Sequence, residues 1–133
     1  MSSRLLFVCA GNTCRSPMAA ALAASLFPQA DVESAGSWPG AVVAPKAVSV
    51  IKEVTGIDIS GHRPRDVAQV DLTEFDRIIV LDREAAAELA PAVPSDVTLV
   101  VRHVQDPYGG SLDDYRQCAQ VLRALIEELA DEG

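Results

Sequence analysis

The sequence contains few cysteines and histidines and no long apolar run, and each shortage excludes a class of protein. Three cysteines in 133 residues cannot all pair within the chain, which argues against the disulfide framework of a small secreted protein. The two histidines, His62 and His103, stand in dissimilar contexts, so we expect neither a metal site nor another cofactor. Apolar runs such as residues 5–10 and 97–101 are far shorter than the roughly 18 residues that span a bilayer.

Basic residues are also scarce. The chain carries 11 Lys and Arg against 19 Asp and Glu, a formal net charge of −8, so we expect neither nucleic acid nor an anionic membrane as a partner. The apolar start of the chain is too short for a signal peptide, and Arg15 interrupts the next stretch of residues, which predicts a cytoplasmic protein. The length and the 49% hydrophobic content predict one domain over residues 1–133 with a sizeable core.

The order of the predicted elements indicates an α/β fold. Apolar, β-branched segments flanked by turn residues predict strands at residues 5–9, 31–34, 77–81 and 97–101. Helical spacing predicts helices at residues 17–27, 45–54, 84–89 and 112–129. Strands that alternate with helices predict a three-layer domain, in which a four-stranded parallel sheet carries helices on both faces. With the strand order 2-1-3-4, ligands are expected at the carboxyl end of strand 1, where the order reverses.

The segment at that position has the composition of an anion-binding loop. Strand 1 runs directly into Cys9-Ala10-Gly11-Asn12-Thr13-Cys14-Arg15-Ser16, and Pro17 then opens a helix. Gly11 and Asn12 tolerate positive φ, so the chain can curl and turn successive N–H groups inward. The helix N-terminus adds partial positive charge, and the Arg15 guanidinium can hold two oxygens of a tetrahedral oxyanion.

Cys9 is the candidate nucleophile of this loop. Main-chain N–H dipoles and Arg15 would favour its thiolate form, and a thiolate beneath a bound phosphorus is placed for in-line displacement. Cys9 is alternatively a small buried residue at the end of a strand. The surrounding strand, Gly-Asn turn, Arg-Ser-Pro sequence and helix favour the catalytic interpretation.

The segment from Val8 to Ala19 resembles the signature loop of the low-molecular-weight protein-tyrosine phosphatases, and the resemblance extends over nearly the whole chain. Further segments carry it: Ser34-Ala35-Gly36 matches the family's segment after strand 2, Asp106-Pro107-Tyr108 its late Asp-Pro-aromatic motif, and His62-Arg63-Pro64-Arg65 resembles its His-x-Ala-Arg stretch. Pro64 stands where the family has Ala, a departure that we expect to change only the local turn.

The resemblance implies a role for each of these residues. Cys9 would attack the phosphorus and form a phosphocysteine, Arg15 would hold the phosphate, and Asp106 would act as general acid and then as general base. Without the resemblance, Asp106 is equally well interpreted as a residue that only starts a turn. The loop residues Ala10, Gly11, Asn12, Thr13, Cys14 and Ser16 would bind the phosphate, while Ser34 and His62, together with Asn12 and Ser16, would hold the loop in shape.

The family also uses the neighbourhood of Cys14 to protect the nucleophile, so a reversible Cys9–Cys14 disulfide is one expectation for Cys14. A small packed residue is the equal alternative. Cys118, on the final helix, is expected in the core.

The implied partners are a phosphorylated protein or peptide as substrate and inorganic phosphate as product. Trp38 and Tyr108 are candidates for the walls of the cleft. Thr13 and Gly109 stand where tyrosine-directed members often carry bulkier residues, a pattern that resembles the protein-arginine-phosphatase branch. We therefore expect a slight preference for phosphoarginine over phosphotyrosine, with a phosphotyrosine-specific enzyme as the alternative.

Two further functions are compatible with the same loop. An arsenate reductase of this fold would need resolving cysteines within reach of Cys9, commonly a pair after strand 3, and residues 82–100 contain no cysteine. A phosphate-binding module without catalysis would need no general acid, so the presence of Asp106 beside the other two candidates disfavours it.

Overall fold

The computed structural model describes residues 3–132 and contains four strands and four α-helices in alternation. In chain order these are β1 Arg4–Cys9, α1 Arg15–Leu26, β2 Asp31–Gly36, α2 Pro45–Thr55, β3 Arg77–Val80, α3 Arg83–Leu89, β4 Thr98–Val101 and α4 Leu112–Glu132. Three short 3₁₀ turns lie at Val67–Gln69, Leu72–Glu74 and Ala90–Ala92.

The four strands form one parallel sheet in the order β2-β1-β3-β4, which confirms the predicted topology. Strand β1 is central, and its last residue, Cys9, pairs with Gly36 of β2. The chain leaves β1 toward β2 on one side and reaches β3 on the other, so the strand order reverses at the end of β1. The loop after Cys9 therefore lies at the switch point of the sheet.

Each face of the sheet is covered by a separate apolar cluster. Successive residues of a strand point to opposite faces, so Phe7 of β1 packs with α1, α2 and α4, whereas Leu6 and Val8 pack with α3 and the 3₁₀ turns. Burial of one such large side chain stabilises the fold by about 1.5–3 kcal/mol. The predicted helices on both faces are thus confirmed. The fully buried large side chains are Phe7, Leu6, Met18, Leu22, Ile51, Ile78, Ile79, Leu81, Leu122, Val8, Val50 and Val80.

Several predicted boundaries were wrong by one to three residues. Helix α1 begins at Arg15 rather than at residue 17, because the carbonyl of Cys14 already accepts the Met18 N–H. Strand β2 continues to Gly36 rather than ending at residue 34, since it pairs with β1 up to Cys9. Strand β4 begins at Thr98 rather than at residue 97, because the N–H of residue 97 closes a turn on the carbonyl of residue 94.

Other strand and helix ends also differ from the predicted ones by one to three residues. Strand β3 ends at Val80 rather than at residue 81, and α1 ends at Leu26 rather than at residue 27. Helix α3 begins one residue early, at Arg83, because the Asp82 carboxylate caps it by accepting the Ala85 N–H. Helix α2 extends to Thr55, where Gly56 ends it with a φ of +80°. Helix α4 continues three residues past 129.

Candidate active site

The loop of residues 9–16 contains polar residues that are buried at the carboxyl end of β1. Asn12, Arg15 and Ser16 are all at most 4% exposed. Buried polar groups are costly unless they are hydrogen-bonded, and every buried side-chain N or O atom in the described part of the chain has a partner. The loop is therefore held by specific contacts, which define its shape.

The carbonyl groups of the loop are bonded on the outer side of its curve. Four of them accept backbone N–H groups of the segment after β2: Cys9 from Ser37 (3.1 Å), Ala10 from Trp38 (2.8 Å), Gly11 from Gly40 (2.9 Å) and Thr13 from Ala44 (2.8 Å). The N–H and C=O of a trans peptide unit point in opposite directions. Carbonyls that face outward therefore leave the N–H groups facing a common interior, a nest whose shape and polarity suit an anion.

Asn12 is the residue that turns the loop. Its φ is +54°, the one positive φ of a non-glycine residue among residues 3–132, so the prediction for Asn12 is confirmed. The Asn12 amide donates to the hydroxyls of Ser16 (2.7 Å) and Ser34 (2.9 Å), and its Oδ1 accepts the Arg65 N–H (3.1 Å). Gly11 does not adopt the positive φ that was expected of it, because one left-handed residue held by these contacts reverses the chain.

His62 supports the same turn from outside the loop. Its Nε2 lies 3.2 Å from both the carbonyl oxygen and the Oδ1 of Asn12. Both atoms are acceptors, so Nε2 carries the proton and donates it. Burial lowers the pKa of His62, and the nearby Arg65 lowers it further. The neutral ring is therefore the form that holds Asn12 at neutral pH.

The sulfur of Cys9 lies at the base of the nest, where it is 2% exposed. The Asn12 N–H donates to Sγ at 3.3 Å, and the Ser16 hydroxyl lies 3.0 Å from it. The Ser16 oxygen accepts the Asn12 amide, and the single Ser16 hydroxyl proton has two acceptors within reach, the Cys9 sulfur and the Ala35 carbonyl at 3.4 Å.

The Arg15 guanidinium is buried beside the same loop and contacts two other segments, one after β3 and one after β4. Its Nη1 donates to the carbonyl of Val104 (2.9 Å) and lies 3.5 Å from the Asp82 carboxylate. Its Nη2 lies 3.7 Å from the carboxylate of Asp106. Burial of a charge requires such compensation. Asp82 and the Val104 carbonyl were missed by the sequence analysis, although the position of Asp82 directly after β3 was a usable signal.

Asp106 is the accessible carboxylate at the mouth of the loop. Its side chain is 50% exposed, compared with 16% for Asp82, and Asp82 is further occupied as the cap of α3. Asp106 also accepts the Tyr108 N–H at 3.0 Å, so it starts a turn while it lies beside Arg15. The two interpretations offered by the sequence are therefore compatible.

A surface groove of about 500 Å³ borders the loop. Its lining includes Thr13, Gly40, Tyr108, Gly109 and Tyr115. Tyr108 thus lines a groove beside the loop, and its role as a wall of the substrate cleft stays a prediction. The Trp38 side chain is 84% exposed and is not among the lining residues of this groove. The Trp38 backbone N–H donates to the Ala10 carbonyl of the loop, and a role for its side chain stays a prediction.

The other two cysteines lie between α1 and α4. The Cys14 sulfur is 3.5 Å from the Tyr115 hydroxyl, a contact that the sequence did not indicate. Burial raises the pKa of Cys14 and of Tyr115, and it raises the pKa of Cys118 to about 12. Cys118 is in the core, as expected. All three cysteines are free thiols, so the Cys9–Cys14 disulfide stays a prediction.

Other ligand classes have less support in the described residues. A second cavity, of about 470 Å³, lies at the opposite end of the sheet between the apolar ends of α1 and α4, and none of the loop residues lines it. Residues 3–132 include no group of three His, Cys, Asp or Glu side chains that could hold a metal ion. No helix in that range has the length and apolar character to cross a membrane.

Comparison with known proteins identifies relatives along the full length of the chain. The family model for low molecular weight phosphotyrosine protein phosphatase matches residues 4–132. The protein-arginine-phosphatase of Geobacillus stearothermophilus is 32% identical over 145 residues, covering 99% of this chain and 97% of that protein. The arsenate reductase of Brevibacillus brevis is 34% identical over 130 residues, covering 97% and 95%.

The fold comparison agrees with the sequence comparison. The crystal structure of the low molecular weight protein tyrosine phosphatase from T. tengcongensis has a TM-score of 0.87 and 31% identity to this chain, and the match covers 98% of this chain and 99% of that one. The resemblance stated from the motifs is therefore confirmed for the family and for the fold.

Replacement of Gly36 by alanine should open the loop. A Cβ at Gly36 would lie 2.6 Å from the Ala10 carbonyl oxygen and 3.0 Å from the Cβ of Asn12. Since backbone must move to admit it, we expect Gly36→Ala to lower the free energy of unfolding by about 1–3 kcal/mol and to weaken binding of tungstate, a tetrahedral oxyanion. Urea unfolding and calorimetry measure the two effects.

Gly61→Ala is the matched control for this substitution, because a Cβ at Gly61 meets no atom within 4 Å. It should leave both quantities unchanged. Tungstate binding that is equally strong in Gly36→Ala would contradict the assignment of the loop as the anion site.

Proposed function

The chain belongs to the low molecular weight phosphotyrosine protein phosphatase family, and from that premise we propose that it hydrolyses phosphorylated protein side chains through a phosphocysteine on Cys9. The proposed enzyme is a single phosphatase domain over residues 1–133 that favours phosphoarginine over phosphotyrosine. The observation that carries the proposal is the placement of the Cys9 sulfur below inward-facing N–H groups, with Arg15 and Asp106 together at the mouth.

In the first step, the Cys9 thiolate attacks the phosphorus of the substrate. An S–P bond forms while the P–N bond of phosphoarginine, or the P–O bond of phosphotyrosine, breaks. Asp106 gives its proton to the departing nitrogen or oxygen. The N–H groups of the loop and the Arg15 guanidinium hold the three remaining oxygens and stabilise the charge that they carry in the transition state.

In the second step, water attacks the phosphocysteine. Asp106, now a carboxylate, accepts a proton from the water, the S–P bond breaks, and inorganic phosphate leaves with Cys9 restored as a thiolate. The half-exposed position of Asp106 lets water reach it. The bond from Arg15 to the Val104 carbonyl keeps the guanidinium oriented through both steps, so that less ordering is required when the substrate binds.

The substrate preference is proposed from the groove beside the loop. Thr13 lines this groove and would offer one hydroxyl to the departing group, while Gly109 also lines it and adds no side chain. The arginine phosphatase among the relatives supports this choice.

Phosphotyrosine is the second candidate substrate, and Tyr108 is the observation that favours it. The Tyr108 side chain is 74% exposed and lines the groove, so its ring could stack against the ring of a phosphotyrosine.

A reductase function has weaker support than hydrolysis. It requires a resolving thiolate near Cys9, and the two other cysteines of the chain are Cys14 and Cys118. Burial raises the pKa of both, which disfavours the thiolate that would attack a disulfide or an arsenic adduct. Neither residue lies in the segment after β3, where this chemistry was expected.

Cys9 should carry a covalent phosphoryl group during turnover. Acid quenching of the enzyme with p-nitrophenyl phosphate should give a protein whose mass is increased by one PO₃ unit, mapped to Cys9 by peptide analysis. Cys9→Ser should abolish turnover, because an alcohol is a far weaker nucleophile than a thiolate at neutral pH. Cys118→Ala, which leaves the loop intact, should still be labelled and active; full turnover in Cys9→Ser would refute the phosphocysteine.

Removal of the proposed general acid should slow the reaction most for poor leaving groups. Asp106→Asn is expected to lower kcat/KM, which reports the first step, by about 10²–10⁴ with an alkyl phosphate and by less with p-nitrophenyl phosphate, whose leaving group needs little protonation. The control is Asp113→Asn, whose carboxylate is 89% exposed and bonded to Arg116. Equal losses with both substrates would argue that Asp106 does not transfer the proton.

The substrate preference can be measured with two peptides of the same sequence, one carrying phosphoarginine and the other phosphotyrosine. We expect the ratio of kcat/KM to favour phosphoarginine, and Thr13→Ile to move it toward phosphotyrosine by about tenfold or more, since the hydroxyl is lost and the groove gains apolar area. Thr98→Ile, on the exposed side of β4, is the control. A ratio that is the same in both variants would exclude Thr13 as the selector.

A further inference from the structure

The Thr13 side chain lies between two glycines. A Cβ at Gly40 would be 2.8 Å from the Thr13 methyl carbon Cγ2, and a Cβ at Gly11 would be 3.2 Å from the Thr13 hydroxyl oxygen Oγ1. The methyl group thus faces Gly40 while the hydroxyl faces Gly11. This orientation exists because neither neighbour has a side chain.

Gly40 cannot easily withdraw from Thr13, because the backbone holds it against the loop. The Gly40 N–H donates to the Gly11 carbonyl at 2.9 Å, and the Ala44 N–H donates to the Thr13 carbonyl at 2.8 Å. These are two of the bonds that turn the loop carbonyls outward. The contact between Gly40 and the Thr13 methyl is therefore a consequence of the bonds that build the anion nest.

The close approach of the Gly40 backbone to the Thr13 methyl group is sufficient to explain a glycine at position 40. Among the described residues, the glycines with positive φ are Gly56 and Gly109, so the backbone of Gly40 would accept alanine. Apart from Cγ2 of Thr13, a Cβ there would meet only the Gly11 carbonyl oxygen within 4 Å, at an ordinary 3.8 Å. A side chain at position 40 would thus act on a single group, the Thr13 methyl.

We propose that Gly40 is a positioning residue that selects the rotamer of Thr13 and, through it, the substrate preference of the enzyme. The inference rests on the proposed function, in which the Thr13 hydroxyl contacts the departing group. Threonine has two heavy atoms on Cβ, so a rotation about χ1 that moves the methyl also moves the hydroxyl. A methyl group added at position 40 displaces Cγ2 and takes Oγ1 away from its place beside Gly11.

The test is a double-mutant cycle between positions 40 and 13. Gly40→Ala should lower kcat/KM for the phosphoarginine peptide by about 3- to 10-fold, the range expected for one unfavourable rotamer, and change the ratio to phosphotyrosine. Thr13→Ser keeps the hydroxyl but lacks the methyl that Ala would strike. In that background, Gly40→Ala should change kcat/KM by less than about twofold.

Gly61→Ala serves as the control, since its Cβ meets open space, and it should alter neither peptide's kcat/KM. Urea unfolding of the four variants gives a second readout, because any destabilisation by Gly40→Ala should also vanish when position 13 is Ser. An effect of Gly40→Ala that is equal in both backgrounds, or absent from both, would overturn the proposal.

The cycle also separates this inference from the proposed substrate. Wild-type enzyme that prefers phosphotyrosine would refute the choice of phosphoarginine, yet a change in the substrate ratio by Gly40→Ala that requires the Thr13 methyl would still support the positioning role. Wild-type enzyme that prefers phosphoarginine, with a ratio untouched by Gly40→Ala, would leave the substrate proposal intact and refute the role of Gly40.

Discussion

The site depends on one set of hydrogen bonds, in which the segment after β2 binds the loop of residues 9–16 from outside. Backbone N–H groups of residues 37–44 donate to four carbonyls of the loop. The N–H groups of the loop itself therefore face the interior of its curve. Neither segment forms this arrangement alone. Pairing of Cys9 with Gly36 at the end of the sheet brings the loop and the segment after β2 together. The backbone hydrogen bonds between the two segments then continue beyond the paired strands.

This arrangement also explains the glycines beside the loop. The backbone of the second segment approaches so closely that a Cβ at Gly36 would strike the Ala10 carbonyl and one at Gly40 would strike the Thr13 methyl. At both positions a side chain is therefore disfavoured by close contact, and not by the backbone dihedral angles. The same close approach of the two segments fixes the shape of the loop and the surroundings of the Thr13 side chain, so the proposed phosphate site and the proposed substrate preference depend on one set of contacts.

The positive charge of Arg15 is compensated by only a few neighbouring groups. Arg15 is a buried cation in an acidic chain with a net charge of −8, and it is compensated by Asp82, the Val104 carbonyl and the more distant Asp106. The less exposed Asp82 and the Val104 carbonyl hold the guanidinium on its buried side. Asp106 is more exposed and lies at the opening, where a substrate would meet it. Two carboxylates beside one arginine thus differ in burial, which suits one to support and the other to proton transfer.

The sequence by itself determined the elements, their parallel order and the position of the loop, because these depend on local patterns: apolar strands, helical spacing, and a Gly-Asn turn before Arg-Ser-Pro. Only the tertiary structure decided which distant groups complete the site. The Val104 carbonyl, Tyr115 and Gly40 contact the loop across the tertiary fold and belong to no local pattern, so no spacing in the sequence indicated these contacts. Composition assigned the left-handed turn to two residues, and the structure places it at Asn12, whose side chain is held by Ser34, His62 and Arg65.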